Sequence, residues 1–200
     1  MKNDDFFSAV AEDWDRRSFP LPIEKIGHIL DIAGIRAGDS VLDAGTGTGV
    51  LLPFLSKRQR GRGVLHAIDS SASMLGIAHR KNAGLLPSPV FILADIETDK
   101  VYGRFDHIVL YCVFPHLRTP VKTIAGMFYG NLLPGGSITI AHPMSRDAVN
   151  GIHENSSVMS CGLEPAESVA SRLEKAGVPV SYIEDSDDYY IINALNVHTY

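Results

Sequence analysis

Val41-Leu42-Asp43-Ala44-Gly45-Thr46-Gly47-Thr48-Gly49 is a short apolar strand that closes on an acid and runs into a turn with glycine at every second position. Val50, Leu51, Leu52, Phe54 and Leu55 follow with helical character. Glycine lets the backbone take positive φ and lets a ligand lie against the main chain with no Cβ between them. The helix behind the turn offers unpaired N–H groups and the positive end of its dipole. The stretch therefore predicts a strand–turn–helix unit that receives a nucleotide-like ligand.

Spacing narrows the ligand. A dinucleotide fingerprint needs glycine at the first, third and sixth positions of the turn. Gly45 and Gly47 satisfy the first two, but the sixth is Val50, and Gly49 falls one place early. A phosphate loop ends in Gly-Lys-Ser/Thr, which Thr48-Gly49-Val50 does not supply. The pattern D-x-G-x-G-x-G instead resembles the first motif of the class I S-adenosylmethionine (SAM)-dependent methyltransferases. That resemblance implies SAM as cofactor, with Asp43, Gly45, Thr46, Gly47 and Gly49 around it. SAM has no pyrophosphate to cradle, and an acidic strand end can help to position its amino-acid end.

The chain downstream carries the same resemblance. Gly63-Val64-Leu65-His66-Ala67-Ile68-Asp69 is a second strand closing on an acid, 20 residues beyond Gly49. This is close to the offset of the ribose-binding acid in dinucleotide folds. The resemblance implies that Asp69 takes both ribose hydroxyls in charge-assisted hydrogen bonds, with Ser70 and Met74 among the cofactor contacts. Pro89-Val90-Phe91-Ile92-Leu93-Ala94-Asp95-Ile96 reads as a third strand. Its Asp95 corresponds to the family's acid beside the adenine amino group, and Ile96 to the residue packed on the ring. The fourth strand, Phe105-Asp106-His107-Ile108-Val109-Leu110-Tyr111, leads to His116, whose family role is packing near the cofactor loop. Tyr111 either reaches the transferred methyl or fills the strand end. The turn Leu133-Pro134-Gly135-Gly136 precedes a fifth strand, Ser137-Ile138-Thr139-Ile140-Ala141-His142. The resemblance runs from about Phe6 to Leu195 and is nearest to the quinone-biosynthesis-like, small-molecule members.

Alternating strands and helices predict an α/β, Rossmann-like doubly wound sheet, mostly parallel, with one antiparallel strand in a C-terminal hairpin. Strands are expected near 40–44, 63–69, 89–95, 104–111 and 136–142, and helices over 49–59, 71–83 and 120–132. A short helix is expected over 146–154, another over 165–176, and a hairpin over 180–196. Residues 1–200 read as a single methyltransferase domain. Residues 1–35 form N-terminal helices and a candidate lid, 36–142 the cofactor-binding core, and 143–200 the acceptor-side segment, helix and terminal hairpin. Phe6, Phe7, Val10 and Trp14 fall on one helical stripe. In small-molecule members an aromatic at the place of Trp14 often reaches the methionine end of the cofactor, while core burial explains the same stripe.

Composition sets limits. Two hundred residues, 45% hydrophobic and 20% charged, suit one globular domain. A formal net charge of −5 and a pI near 5.9 argue against a nucleic-acid partner, which a basic footprint would announce. Lys57, Arg58, Arg60 and Arg62 cluster where cations complement a helix C-terminus. Cys112 and Cys161 have no disulfide or metal spacing, no apolar run reaches spanning length, and the first residues lack a signal-peptide pattern. The expectation is a cytoplasmic monomer or homodimer with no metal and no membrane span.

His142 at the end of the fifth strand and His153 beyond it are the candidate general bases, and Tyr111 is the third candidate catalytic residue. A metal group of His142, His153, Glu154 and Cys161 matches no standard spacing, and hydrogen-bonded loop histidines account for the same residues. The sulfonium of SAM is already activated, so alignment of acceptor, methyl and sulfur supplies most of the catalysis, up to roughly 7–11 kcal/mol. Tyr111-Cys112-Val113-Phe114 is not the Asn/Asp-Pro-Pro-Tyr/Phe of amide and adenine-N6 methylating enzymes, and no Pro-Cys nucleophile is present there. The function expected is methylation of a small-molecule acceptor. The alternatives are a protein or RNA methyltransferase and a non-catalytic SAM-binding partner protein, with a nicotinamide-dependent reductase behind them.

Overall fold

In the computed structural model, residues 23–154 and 160–197 are described. The predicted helix carrying Phe6, Phe7, Val10 and Trp14 lies outside them. Helix α1 (Ile23–Ala33) leads into β1 (Ser40–Ala44), α2 (Leu52–Gln59), β2 (Val64–Asp69), α3 (Ala72–Asn82) and β3 (Val90–Leu93). Then come β4 (Phe105–Tyr111), a 3-10 turn (Phe114–His116), α4 (Pro120–Asn131) and β5 (Leu132–His142). The chain continues through α5 (Arg146–Glu154), α6 (Ala166–Lys175), β6 (Val180–Asp185) and β7 (Tyr190–Leu195). The strands form one sheet in the order β3-β2-β1-β4-β5-β7-β6. Strands β1 to β5 pair in parallel, and β7 runs antiparallel to both β5 and β6. The sheet is thus the expected one, with its antiparallel strand in the terminal hairpin.

The sheet is buried on both faces, and strand alternation assigns side chains to each. Val41, Leu65, Ala67 and Val109 pack with Ile26 and Leu30 of α1 and Leu52 and Leu55 of α2. Leu42, Ile68, Ile108, Leu110 and Ile140 join Ile124 and Phe128 of α4 and Val169 and Leu173 of α6 on the other face. Ile26, Ile29, Leu30 and Ala33 hold one stripe of α1 at helical spacing and are all but fully buried.

Three boundaries differ from expectation. The helix after the glycines starts at Leu52, because Gly49 still belongs to the turn. Strand β3 stops at Leu93, so Ala94 and Asp95 are loop. Strand β5 begins at Leu132, before the Pro-Gly-Gly turn expected to precede it. The turn survives as an irregularity: Phe105 pairs with Leu132 and His107 with Ser137. Asn196 ties the irregularity down by donating to the carbonyls of Leu132 and Leu133, and its own carbonyl accepts the Gly135 N–H.

A polar knot joins the amino ends of the central strands. The Asp106 carboxylate accepts the Ser40 N–H at 2.8 Å and the Ser40 hydroxyl at 2.7 Å. His107 Nδ1 lies 2.8 Å from Ser137 Oγ, and its Nε2 lies 3.0 Å from Asp39 Oδ2. This Ser-His-Asp trio is no hydrolase site. Ser137 is 1% exposed, and its hydroxyl donates to the Ala33 carbonyl at the end of α1. Its work is to fasten α1, β1, β4 and β5 together. Among the described residues, no helix is long and apolar enough to cross a membrane.

Candidate active site

The glycine turn lies at the carboxyl ends of the strands, where open α/β sheets bind ligands. Gly45, Gly47 and Gly49 take φ of +80°, +54° and +76°. They face different surroundings. A Cβ on Gly45 would stand 2.5 Å from Val113 Cγ2, and one on Gly49 would stand 2.5 Å from Asn82 Nδ2. A Cβ on Gly47 would meet nothing within 4 Å. Gly45 and Gly49 therefore let protein pack on protein, and Gly47 presents a bare backbone to open space.

The amide protons of this turn are already taken. Gly45 and Thr46 both donate to the Ile68 carbonyl at 2.8 Å, Gly47 donates to Asp69 Oδ2 at 2.8 Å, and Gly49 donates to the Thr46 carbonyl at 2.9 Å. The expected array of free N–H groups is absent at these four positions. What the pocket offers instead is carboxylate. Asp69 also accepts the Ser71 N–H through Oδ1, so each of its oxygens is oriented by one backbone donor. A carboxylate has about four acceptor sites, which leaves capacity for hydroxyl donors.

Asp43 is 1% exposed and accepts the Thr46 hydroxyl at 2.6 Å. Burial pushes its pKa up to about 7; the Thr46 donor opposes this and the negative Asp69 adds to it. Such a site gains from a cation and resists phosphate. Ser71 caps α3 through its hydroxyl and the Met74 N–H, which puts Met74 in the first turn with its side chain buried; Ser70 is exposed beside Asp69.

The loop after β3 differs most from expectation. Asp95 Oδ2 accepts from Arg118 Nη2 at 2.8 Å, and its Oδ1 accepts the Glu97 N–H at 2.8 Å. Glu97 is itself nearly buried, 7% exposed at its side chain. It accepts from the Arg118 N–H and Nε at 3.0 Å each, from the Thr119 N–H at 2.7 Å and from the Thr119 hydroxyl at 3.0 Å. Burial alone would raise its pKa, but these donors outweigh it and hold the group below the usual carboxylate range. Ile96, between the two acids, packs against the main core cluster.

At the end of β4, Tyr111 is partly buried, and desolvation raises its phenol far above neutrality, which keeps it protonated. Cys112 follows in the left-handed region at φ +59°, and its N–H bonds the Ala141 carbonyl at 2.9 Å. Val113 then closes over Gly45. The 3-10 turn brings His116 edge-on to His153 of α5, with ring centroids 4.9 Å apart. His142 at the end of β5 completes the group. It is 3% exposed, its Nε2 is buried with no hydrogen-bond partner, and burial pushes its pKa down to about 3, helped by repulsion from His116 and His153.

Three histidines distant in sequence thus converge, and burial makes His142 a neutral imidazole that is a weaker base than a solvated one. Burial lowers the pKa of His153 as well. Cys161 reaches the same region by donating its N–H to the Pro115 carbonyl at 3.0 Å. A cavity of 340 Å³ lies between α5 and residues 160–164, lined by Asn150, His153, Cys161 and Leu163 among others. Among the described residues, no group of three or more His, Cys, Asp or Glu side chains could hold a metal ion, so the metal grouping of His142, His153, Glu154 and Cys161 is not formed.

Of the residues singled out in the sequence, Thr46 bonds Asp43, Gly47 bonds Asp69, Gly45 shares the Ile68 carbonyl with Thr46, and Gly49 packs against Asn82. Sequence reading missed Arg118, Glu97 and Val113. Their partners lie in other loops, and no local pattern marks them.

Residues 41–136 match the family described as a methyltransferase domain. A ubiquinone/menaquinone biosynthesis C-methyltransferase from a Marinomonas strain is 30% identical over 116 residues, 56% of this chain and 46% of that protein. The chain spans less than half the length of the curated relatives it matches. Among solved structures, a SAM-dependent methyltransferase from Aquifex aeolicus superposes with a TM-score of 0.74 at 23% identity, covering 94% of this chain and 98% of that one. The N-methyltransferase NodS from Bradyrhizobium japonicum, crystallised with S-adenosylhomocysteine, superposes with a TM-score of 0.70 at 17% identity over 99% and 100% of the two chains. The glycine turn, the acids at the strand ends and the sheet order agree with these matches: residues 41–136 are similar to a methyltransferase domain, and the chain has the fold of SAM-dependent methyltransferases.

Proposed function

We propose that this chain binds SAM between Asp43, Gly47 and Asp69 and transfers its methyl group to a small-molecule acceptor held at the ends of β4 and β5. One observation carries the cofactor assignment. The amides of Gly45, Thr46, Gly47 and Gly49 are occupied within the protein, Asp69 stands half-buried beside them, and Asp43 is buried behind the turn with its carboxylate on the Thr46 hydroxyl. A phosphate would find few free donors and the negative Asp69 there. SAM brings an ammonium and a sulfonium for the acids and two ribose hydroxyls for Asp69. The bare backbone of Gly47 gives it room. NodS, of the same fold, was crystallised with the demethylated cofactor, in keeping with this reading. Asp95 is then the acceptor for the adenine amino group, and Ile96 the apolar contact beside it.

Bound SAM supplies an activated methyl, so the chain's own residues chiefly align and desolvate. Tyr111 offers a neutral phenol at the strand end, and His142 a neutral imidazole with an open Nε2. Neither holds a charge at neutral pH. Both suit hydrogen bonding to an acceptor better than proton storage. His142, His116 and His153 form the acceptor side of the pocket in this reading. The Marinomonas relative methylates carbon in a quinone precursor, by its name, and an Anoxybacillus relative methylates oxygen on a carrier-bound malonyl group. Acceptor chemistry varies among relatives, and the acceptor of this chain is to be found by screening.

Calorimetric titration with SAM, S-adenosylhomocysteine and NAD tests the proposal. Micromolar binding of the first two and none of NAD supports it. Folded protein that binds neither sulfur compound overturns it. Methyl transfer to protein or RNA in preference to any small acceptor would replace the acceptor class.

A further inference from the structure

We infer that Arg118 is a positioning residue for adenine: it holds Asp95 so that its carboxylate selects a base carrying an amino group. The inference rests on the cofactor reading above, with Asp95 as the adenine contact. Asp95 does not sit on a strand; β3 ends two residues earlier, so the sheet does not fix its direction. Its loop, Asp95-Ile96-Glu97-Thr98-Asp99, carries three acids within five residues. Asp99, exposed, accepts the Asp95 N–H at 2.9 Å. Left to themselves, three neighbouring carboxylates repel one another, and Asp95 would swing toward water.

Arg118 supplies the restraint. Its planar fork spans two acids at once, Nη2 to Asp95 Oδ2 at 2.8 Å and Nε to Glu97 Oε2 at 3.0 Å. Glu97 is the anchor. Nearly buried, it is held by the backbone N–H groups of Arg118 and Thr119 at the start of α4. The line of force runs from the start of α4 through Glu97 and Arg118 to Asp95. With Glu97 N–H on the other oxygen, both Asp95 oxygens are oriented, and each keeps acceptor capacity for a further donor. An adenine amino group provides that donor. A hypoxanthine, with a carbonyl oxygen at the same place, meets a fixed negative charge instead. Lysine cannot reproduce the fork, because a single ammonium reaches one carboxylate well and not two.

The test compares the affinities of S-adenosylhomocysteine and S-inosylhomocysteine by calorimetry in the wild type, Arg118→Gln, Arg118→Lys and Glu97→Gln. Arg118 is largely exposed, so its replacement leaves the fold intact; a thermal melt checks this. In the wild type the adenine compound binds at least about tenfold tighter, as a site built for an N–H donor should. In Arg118→Gln the adenine compound loses most of that advantage while the affinity of the hypoxanthine compound changes little. Arg118→Lys lies between, and Glu97→Gln follows Arg118→Gln. An equal fall of both affinities in Arg118→Gln, with the ratio unchanged, overturns the inference and leaves the cofactor reading standing. A wild type that binds both equally removes Asp95 as the adenine contact, and the inference with it. A wild type that binds neither overturns the cofactor reading itself.

Discussion

The carboxylate of Asp69 accepts the backbone N–H of Gly47 at 2.8 Å, which binds the acid at the end of β2 to the turn after β1. The acid proposed to bind ribose is thus also a structural part of the glycine turn. Asp69→Ala is expected to weaken SAM binding by about 1.5–3 kcal/mol through lost charged hydrogen bonds. It also releases the Gly47 and Ser71 amides, so the apo protein melts at a lower temperature. Asp69→Asn retains one oxygen acceptor and should lose less stability while losing comparable affinity. Calorimetry and melting of both variants check this; unchanged affinity in folded Asp69→Ala would refute the ribose role.

The three glycines should separate by phenotype. Gly49→Ala forces a methyl against Asn82 Nδ2 at 2.5 Å and Ala78 Cβ at 3.0 Å, and should cost roughly 1–3 kcal/mol of stability. Gly47→Ala meets no neighbour, so its cost is the left-handed backbone alone, about 1–2 kcal/mol. Its new methyl enters the ligand's space, and S-adenosylhomocysteine affinity should fall by at least about tenfold, more than 1.4 kcal/mol. Melting curves and titrations of the two variants distinguish them. The assignment of Gly47 to the ligand face fails if Gly47→Ala binds like the wild type.

Asp43 makes the apo protein less stable as pH rises. Burial raises its folded-state pKa to about 7 from the ordinary 3.8, so between these values the folded chain holds a proton that the unfolded chain has released. Stability from this group is therefore lost progressively as pH climbs from about 4 to about 7. Asp43→Asn removes the titration and should flatten that part of the pH–stability curve, with tighter folding at pH 8 and weaker SAM binding. SAM, through its positive charges, should release a proton from Asp43 on binding near neutral pH. Calorimetry in buffers of different ionisation enthalpy reads that proton directly.

His142 works in the opposite direction. Its pKa is pushed down to about 3 from 6.5, so the folded chain refuses a proton that the unfolded chain accepts. The associated stability is present above about 6.5 and is lost as pH falls toward 3. His142→Gln should therefore unfold less steeply on acidification than the wild type. It should bind SAM normally and slow methyl transfer. Nitrogen-15 spectra of the imidazole ring should show His142 neutral at pH 5, and a ring that titrates near 6.5 would restore it as a candidate base.

Much of the sheet was legible because the parallel strands are short apolar runs, three of them with an acid at or near their end, and a buried parallel strand needs little else. Helix α5 was found at its observed ends, 146–154, although only Val149 on it is buried. The errors share a cause. Strand β5 starts at Leu132 because Asn196, more than sixty residues away, satisfies the carbonyls of Leu132 and Leu133; local turn chemistry at Pro134-Gly135-Gly136 points the other way. Asp95 left its strand because edge strand β3 has only β2 to pair with, and pairing ends at Leu93. The site divides in the same manner. Asp43, Gly47 and Asp69 are read from local spacing. The Arg118 bridge, the closure of Val113 over Gly45 and the burial that lowers the His142 pKa arise only when loops meet.

The polar knot of Ser40, Asp106, His107 and Ser137 gives the sheet the mechanics of a cantilever. One end is clamped: four elements are riveted where the strands begin, far from the glycine turn. The other end is free, and there strand ends and the loops beyond them carry the proposed ligand-facing residues. Deflections should grow along the strands and be greatest where the pocket must open and close. Loops at the free end can be lengthened or exchanged without loosening the clamp. A frame of this kind tolerates change in the loops around the pocket more readily than change at the clamped end, where Ser40, Asp106, His107 and Ser137 hold the strands in register.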